Sequence, residues 1–450
     1  MLQAKVVVHK TMNSRSGLLR CGCSYDSYCN RMVCSQTDYP PKLVRAGYCR
    51  LAAQTRFDAQ TERYKGGKKM KFRRLGKTEL QISEIGFGGE WLERHPKADG
   101  IDLIRYASAQ GINILDCWMP DPKSREIIGE GIKENRSQWY IQGHIGSTWK
   151  DGQYFRTRDL NDVRPAFEDL LKRLQTDYID LGMIHYVDSE KEWEQIQHSA
   201  YLDYIMELKS RGVIRHIGMS SHNPKVAIKA AESGYVEMIL FSINPAFDML
   251  PASEDIDTMF AEEFDAGLSG IDADRAKLYR ICEQNDVGIT VMKGFAGGRL
   301  FDAKRSPFGA SLTPVQCIHY ALTRPAVSAI LCGYDTKEQV DQAVAYENAS
   351  EAEKDYASVL SDAPFHAYRG ECTYCGHCKP CAAQLDIAMI NQFYDLATMQ
   401  PEVPATVQSH YESLAHTASE CIGCRACEPR CPFGVSIAER MKKAAELFGC

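Results

Sequence analysis

The side chains able to do chemistry fall into two sets. The first set closes short apolar runs: Asp116 ends INILD, His144 ends WYIQGH, His185 ends IDLGMIH and Lys293 ends VGITVMK. Glu90, Ser220, Ser221, His222 and Asn244 stand at comparable places. Parallel strands of a β/α barrel present functional groups in this way, at their carboxyl ends. Imidazoles beside a carboxylate can hold and move protons near neutral pH. A lone histidine on a strand is more often structural, but three at successive strand ends beside an aspartate shift the balance toward function. Asp116, Asp121, His144, His185 and His222 also have the donor types of a mixed nitrogen and oxygen site for a divalent ion. The alternative expectation is therefore a metal-assisted lyase, isomerase or epimerase. A non-catalytic electron-transfer or scaffold subunit ranks third, because it has no use for so many ionisable strand ends.

The second set is eight cysteines. Cys372, Cys375, Cys378 and Cys381 follow at intervals of three, and Cys421, Cys424, Cys427 and Cys431 form C-x₂-C-x₂-C-x₃-C followed by Pro432. That run holds cubane iron–sulfur clusters, and its fourth cysteine ligates the other cluster in two-cluster ferredoxins. Eight thiolates suit two [4Fe-4S] clusters, with one cluster or a Cys₄ zinc site as lesser alternatives. His377 is read as a bystander between ligands. No flavin motif is present to split a two-electron hydride into single electrons. The clusters are accordingly expected to be structural or to serve an electron-transfer partner, ahead of a radical route.

These groups need elements to carry them. Strands are expected at 82–88, 112–118, 139–145, 179–186, 213–219, 237–244, 287–293 and 327–333, with amphipathic stretches between. Val163, Phe167, Leu170, Leu171 and Leu174 share one helical face, and Pro165 is placed near that helix's start. Eight strand–helix units predict an α/β fold, a (β/α)₈ barrel over 70–350, with a doubly wound sheet as runner-up. The acidic stretch 246–272 is read as a lid, a rim or a plain insertion. Residues 351–450 are expected to form a small, mostly helical iron–sulfur domain of ferredoxin type, with a helix over 436–448.

Residues 1–69 lack either period and hold five further cysteines. The stretch KGGKKM at 65–70 can encode a ribosome-binding site before Met70, so 1–69 is expected to be a translated leader; a small metal-binding arm is the rival reading. The chain's 450 residues carry a net charge of −6 with both signs interspersed. Neither nucleic acid nor membrane is expected as a partner. No apolar run is long enough to span a bilayer. Tight Cys-x-x-Cys arrays without a signal peptide suit a reducing cytoplasm, and oxygen-sensitive clusters suit an anaerobic bacterium.

The stretch MKFRRLGKTELQISEIGFGG from Met70 resembles the first hairpin and strand of the aldo-keto reductase family. INILD ending at Asp116, DYIDLGMIH ending at His185, GVIRHIGMSS ending at Ser221 and AILCGYDTKEQ over 329–339 resemble later strands of that family. The tail resembles the branch carrying a C-terminal ferredoxin-type 4Fe-4S domain. The resemblance implies reduction of a small carbonyl substrate by NAD(P)H, using an Asp, a Tyr, a Lys and a His. Asp116 and His185 match two of these. The Tyr position holds Asp121 and the Lys position holds His144, so His144, with Lys293 as a further proton donor, is expected to complete a degenerate set. The cofactor is expected against Ser220, Ser221, Asn244, the loop from Gly294 through Gly297, Gly333 and Lys337, although the family's nicotinamide-contacting Gln and Tyr fall at Leu240 and Ile243.

Overall fold

The computed structural model describes residues 70–90, 92–260, 268, 270–362, 370–398 and 402–450. The leader expectation for 1–69 lies outside the described residues.

Eight strands close into a parallel barrel: β3 (Ile85–Gly88), β4 (Ile114–Cys117), β5 (Tyr140–Ile145), β8 (Ile179–Ile184), β9 (Ile214–Ser221), β10 (Met238–Ser242), β11 (Gly288–Met292) and β12 (Val327–Gly333). Each β/α unit returns through helices on the outside: α1 (Lys97–Ala109), α2 (Pro122–Ile132), α3 (Leu160–Arg173), α4 (Glu190–Gln197), α5 (Ala200–Ser210), α6 (Pro224–Glu232), α7 (Ala273–Gln284), α8 (Pro314–Leu322) and α9 (Lys337–Val344). The interior is filled by side chains such as Ile114, Tyr140, Leu181, Met183, Met238 and Leu240. A Cβ at Gly218 would overlap the sulfurs of Met183 and Met238, so the missing side chain leaves room for both thioethers.

The apolar run expected as one strand at 82–88 divides in two. β1 (Phe72–Arg74) pairs antiparallel with β2 (Gln81–Ser83), and this hairpin brings Leu75 and Ile82 into the interior cluster. The break falls at Glu84, whose N–H donates to Lys71 O and whose carboxylate receives Arg73 Nε at 2.7 Å. Only then does the chain enter the barrel as β3. Pro165 also differs from expectation: α3 begins at Leu160 behind the Asp159 cap, so the proline lies in the second turn. There its missing N–H leaves one intrahelical bond unmade. Of the expected lid, Phe247–Met249 and Ile256–Phe260 form short 3₁₀ turns.

The tail folds against α7 and α8 through α10 (Ala357–Ser361), α11 (Ile387–Thr398), α12 (Ala405–Glu412) and α13 (Ile437–Phe448). Helix α13 answers the helix expected over 436–448, and Gly449 ends it at φ 78°. Polar bonds fix the tail to the barrel. Gln316 Nε2 donates to Asp355 O at 2.6 Å, Thr406 Oγ1 donates to Gln284 O at 3.0 Å, and His410 meets Glu283 at 2.5 Å. Arg324, fully buried, donates to Thr373 O and lies over the rings of Tyr320 and Tyr374. A cleft of about 590 Å³ runs along this seam, lined by Arg73, Gly288, Val327 and Cys375 among others. Gly288 and Val327 begin their strands, so the cleft lies at the barrel's foot.

Candidate active site

Asp116, His144 and His185 come from three adjacent strand ends, because β4 pairs with β5 and β5 with β8. They form a row. His144 Nε2 lies 2.9 Å from Asp116 Oδ1, and His144 Nδ1 lies 2.8 Å from His185 Nδ1. Gln142, two residues back on β5 and so on the same strand face, donates Nε2–H to the same Asp116 oxygen at 3.0 Å. All three members of the row are buried. Burial, then the neighbouring His144, Arg158 and Arg156, hold His185 well below the ordinary histidine range, so its resting form is neutral.

The row has a fourth member that sequence reasoning missed. Tyr154 places its hydroxyl 2.8 Å from His185 Nε2. It sits on a hairpin, β6 (Ser147–Lys150) with β7 (Gln153–Arg156), inserted directly after β5. The signal was present: Asp151-Gly152 is a two-residue turn pair, and both adopt positive φ, 53° and 77°. Arg156 Nη1 and Arg158 Nη2 bind the hairpin to the end of β8 through the carbonyls of Tyr186 and His185, at 2.6 and 2.5 Å. Trp118 lies parallel to His185 and edge-on to Tyr154. Burial pushes the Tyr154 hydroxyl up to about 12.

The other expected residues are placed as follows. Asp121 caps α2, accepting from Ser124 N–H at 2.8 Å, and is spent there. His222 pairs with Asp188 at 2.9 Å, apart from the row, and Ser221 donates to Asp188 at 3.0 Å. Ser220 accepts the Tyr186 N–H at 2.8 Å. Asn244 braces its own loop, accepting from Ala246 and Phe247 N–H and donating to Lys293 O. Lys293, mostly buried, faces Glu90; burial lowers its ammonium against the pull of Glu90 and Asp188, and burial raises Glu90. The five residues of the divalent-ion expectation therefore do not converge. The imidazole nitrogens of His144 and His185 are already taken within the row. Among the described residues no three His, Cys, Asp or Glu side chains gather to hold a single metal ion.

Around the expected cofactor loop, Lys293, Ala296, Gly297 and Gly298 all take positive φ. Such turns can aim successive backbone N–H groups at an anion. A Cβ at Gly297 or Gly333 would meet open space, whereas one at Gly294 would overlap Ile330, so Gly294 serves packing. Lys337 is engaged by Asp102 and lies over Tyr106.

Comparison with known proteins agrees with this barrel. The model of the aldo/keto reductase family matches residues 84–314, just over half of the chain. The chain belongs to the aldo/keto reductase family. It is 30% identical over 186 residues to the uncharacterized oxidoreductase YqkF of Bacillus subtilis, 40% of this chain and 58% of that protein. It is 32% identical over 161 residues to the aldo-keto reductase YhdN of the same organism, covering 34% and 47% of the two chains. The chain thus spans about half the length of these curated relatives. It spans more of L-galactose dehydrogenase of Arabidopsis thaliana: 24% identity over 299 residues, 62% of this chain and 88% of that one. Among solved structures, the holo form of aldo-keto reductase AKR11C1 from Bacillus halodurans shares the fold, with a TM-score of 0.50, 20% identity, and 67% and 98% coverage.

Beyond the aldo/keto reductase barrel lie the two cysteine runs. Cys372, Cys375 and Cys378 of the first run and Cys431 of the second line one small cavity. Asn391 lines it too, 1% exposed, with its Nδ2 donor lacking a partner while Oδ1 accepts from Arg440 at 2.7 Å. Arg430 ties the runs together, donating to the carbonyls of Cys378 and Pro380 at 2.6 and 2.8 Å. His377, read from the sequence as a bystander, pairs with Asp355 at 3.0 Å. All eight thiols are free, and Cys424 is exposed.

Proposed function

We propose that this aldo/keto reductase family member is an NAD(P)-dependent oxidoreductase interconverting a carbonyl and an alcohol on a small molecule. The observation that carries the reading is the hydrogen-bonded row Asp116–His144–His185 at the carboxyl mouth of the family's barrel. The named relatives include a sugar dehydrogenase, in keeping with a small hydroxylated substrate. The nicotinamide, when bound, supplies or takes the hydride. The chain's own groups handle the proton and the charge. His185 and His144 exchange protons along the row, and Asp116 favours a cation on His144. The positive-φ turn from Lys293 to Gly298 would receive the diphosphate, and Lys293 would add charge there. With Lys337 engaged by Asp102, the reading takes in both NAD and NADP. Anaerobic fluorescence titration with NADH and NADPH tests it. Binding of either is expected; failure of both overturns the reading.

The tail, from about residue 351, is proposed to be a ferredoxin-type domain with two [4Fe-4S] clusters. The fit rests on the shared cavity: three thiols of one run and the fourth of the other, with the orphaned Asn391 amide able to donate to cluster sulfur. A tetrahedral zinc would need its four sulfurs about 3.8 Å apart, and no three of these thiols gather around a single point. Cys421, Cys424 and Cys427 with Cys381 would hold the second cluster, whose exposed 422–426 loop is where an electron-transfer partner could reach it. Clusters of this kind suit a reducing, oxygen-poor cytoplasm. About eight iron and eight acid-labile sulfides per chain are expected after anaerobic purification; stoichiometric zinc without sulfide would refute the assignment. No observation favours the metal-assisted lyase, because the row leaves no imidazole nitrogen for a cation.

A further inference from the structure

With His144 uncharged, the hydrogen bonds at the mouth admit one consistent arrangement of the protons. Asp116 Oδ1 receives two donors, the Gln142 amide at 3.0 Å and His144 Nε2 at 2.9 Å. A carboxylate oxygen so placed only accepts, so His144 carries its proton on Nε2. In that arrangement His144 offers a lone pair on Nδ1, and His185 donates its Nδ1–H across the 2.8 Å gap. That leaves His185 Nε2 as an acceptor, and the Tyr154 hydroxyl, 2.8 Å away, as its donor. Every proton in the row leans toward Asp116.

We propose that Tyr154 is the catalytic residue that meets the substrate oxygen, and that His185, His144 and Asp116 drain its proton, so the resting row is set as a base for alcohol oxidation. The inference rests on the oxidoreductase reading and adds a residue to it. The O–H bond of the substrate breaks and its proton goes to the Tyr154 oxygen. The Tyr154 proton passes to His185 Nε2, and the His185 Nδ1 proton passes to His144 Nδ1. His144 ends as an imidazolium facing Asp116. The carbinol C–H bond breaks with its electron pair, which leaves as hydride to oxidised nicotinamide, and the C=O bond forms. Carbonyl reduction is the same sequence reversed, starting from a protonated row.

Two observations separate this role from a merely structural one. The hairpin is already fastened by Arg156 and Arg158 to the backbone of residues 185 and 186, and Ser147 Oγ donates to Trp118 O at 2.6 Å. The Tyr154 hydroxyl is not needed to hold it down. The position where the family's own tyrosine is expected is Asp121, a helix cap, so that position supplies no phenol.

Tyr154→Phe keeps the ring against Trp118 and removes only the hydroxyl. With 4-nitrobenzyl alcohol and NAD or NADP as probes, kcat is expected to fall about 10²–10⁴-fold, with KM and nucleotide binding close to wild type. A near-normal kcat would overturn the proposal. The nitrogen-15 NMR spectrum of the nucleotide-free protein gives a readout that needs no substrate. It should show His144 protonated on Nε2 and His185 on Nδ1; a His185 protonated on Nε2 would equally overturn it. Should wild-type protein bind neither nucleotide, or bind one and leave the probe untouched, the oxidoreductase reading fails instead, while the tautomers still report on the row.

Discussion

The Nδ1 atoms of His144 and His185 face each other at 2.8 Å, a spacing that admits one proton between two rings. Charging both rings at once would set two cations in contact in a buried place. The pair therefore behaves as one proton-carrying unit, and its members are not independent acids.

His144→Ala and His185→Ala are each expected to lower turnover by about 10²–10⁴-fold. Since the two act as a unit, the double variant should be little worse than either single one. Steady-state rates of the three proteins check this, and near-normal rates for both single variants would remove the row from the mechanism.

A pH effect arises at Glu347, under the barrel's foot. Burial, then the nearby Glu84, raise its carboxyl from 4.5 to about 7. The folded protein keeps this proton where the unfolded chain loses it. Stability from this group is full below about pH 4.5, falls as pH rises, and is lost above about 7. Glu347→Gln should thus change little at acid pH and stabilise by up to about 3 kcal/mol at pH 8.5. Thermal unfolding at the two pH values measures the difference, and equal shifts at both would count against the assignment.

Much of this was legible beforehand, for a physical reason. Barrel strands are buried on both faces, so they read as continuous apolar runs, and the functional residue is the polar one that ends each run. That rule singled out Asp116, His144 and His185, which the barrel brings into one hydrogen-bonded row. Tyr154 escaped it because the hairpin at 147–156 is largely exposed and carries no continuous apolar run. Asp121 and Lys337 were placed by other means. Family position put them at the site, whereas local chemistry gave one to a helix cap and the other to an ion pair. The division at Glu84 was passed over because Ile82 and Ile85 flank it closely enough for 82–88 to read as one run.

Helix α2 packs so closely on the end of α3 that a Cβ at Gly129 would overlap the carbonyl oxygen of Arg173. Backbone cannot give way as a side-chain tip can. Gly129→Ala is expected to destabilise by about 1–3 kcal/mol or more, despite alanine's better helix propensity. Denaturant unfolding decides, and a stabilised variant would contradict the packing.

Arg324 should matter more to the tail than to the barrel. Arg324→Met removes one of the two donors to Thr373 O, beside Cys372, and leaves the Tyr356 hydroxyl as the other, at a cost of roughly 1–3 kcal/mol. Iron content per chain should fall while nucleotide binding stays within about twofold of wild type. Unchanged iron would show that the loop holds without this cation.

The seam cleft that Cys375 shares with Gly288 and Val327 carries a last implication. These residues mark where strands start, and Asp116 and Lys293 mark where they finish; the seven residues of β12 alone span roughly 23 Å. Under the two-cluster reading, air would strike one pole of the molecule and hydride would move at the other. An oxidised tail would first show itself as a looser, more protease-sensitive protein, and only later as a slower catalyst.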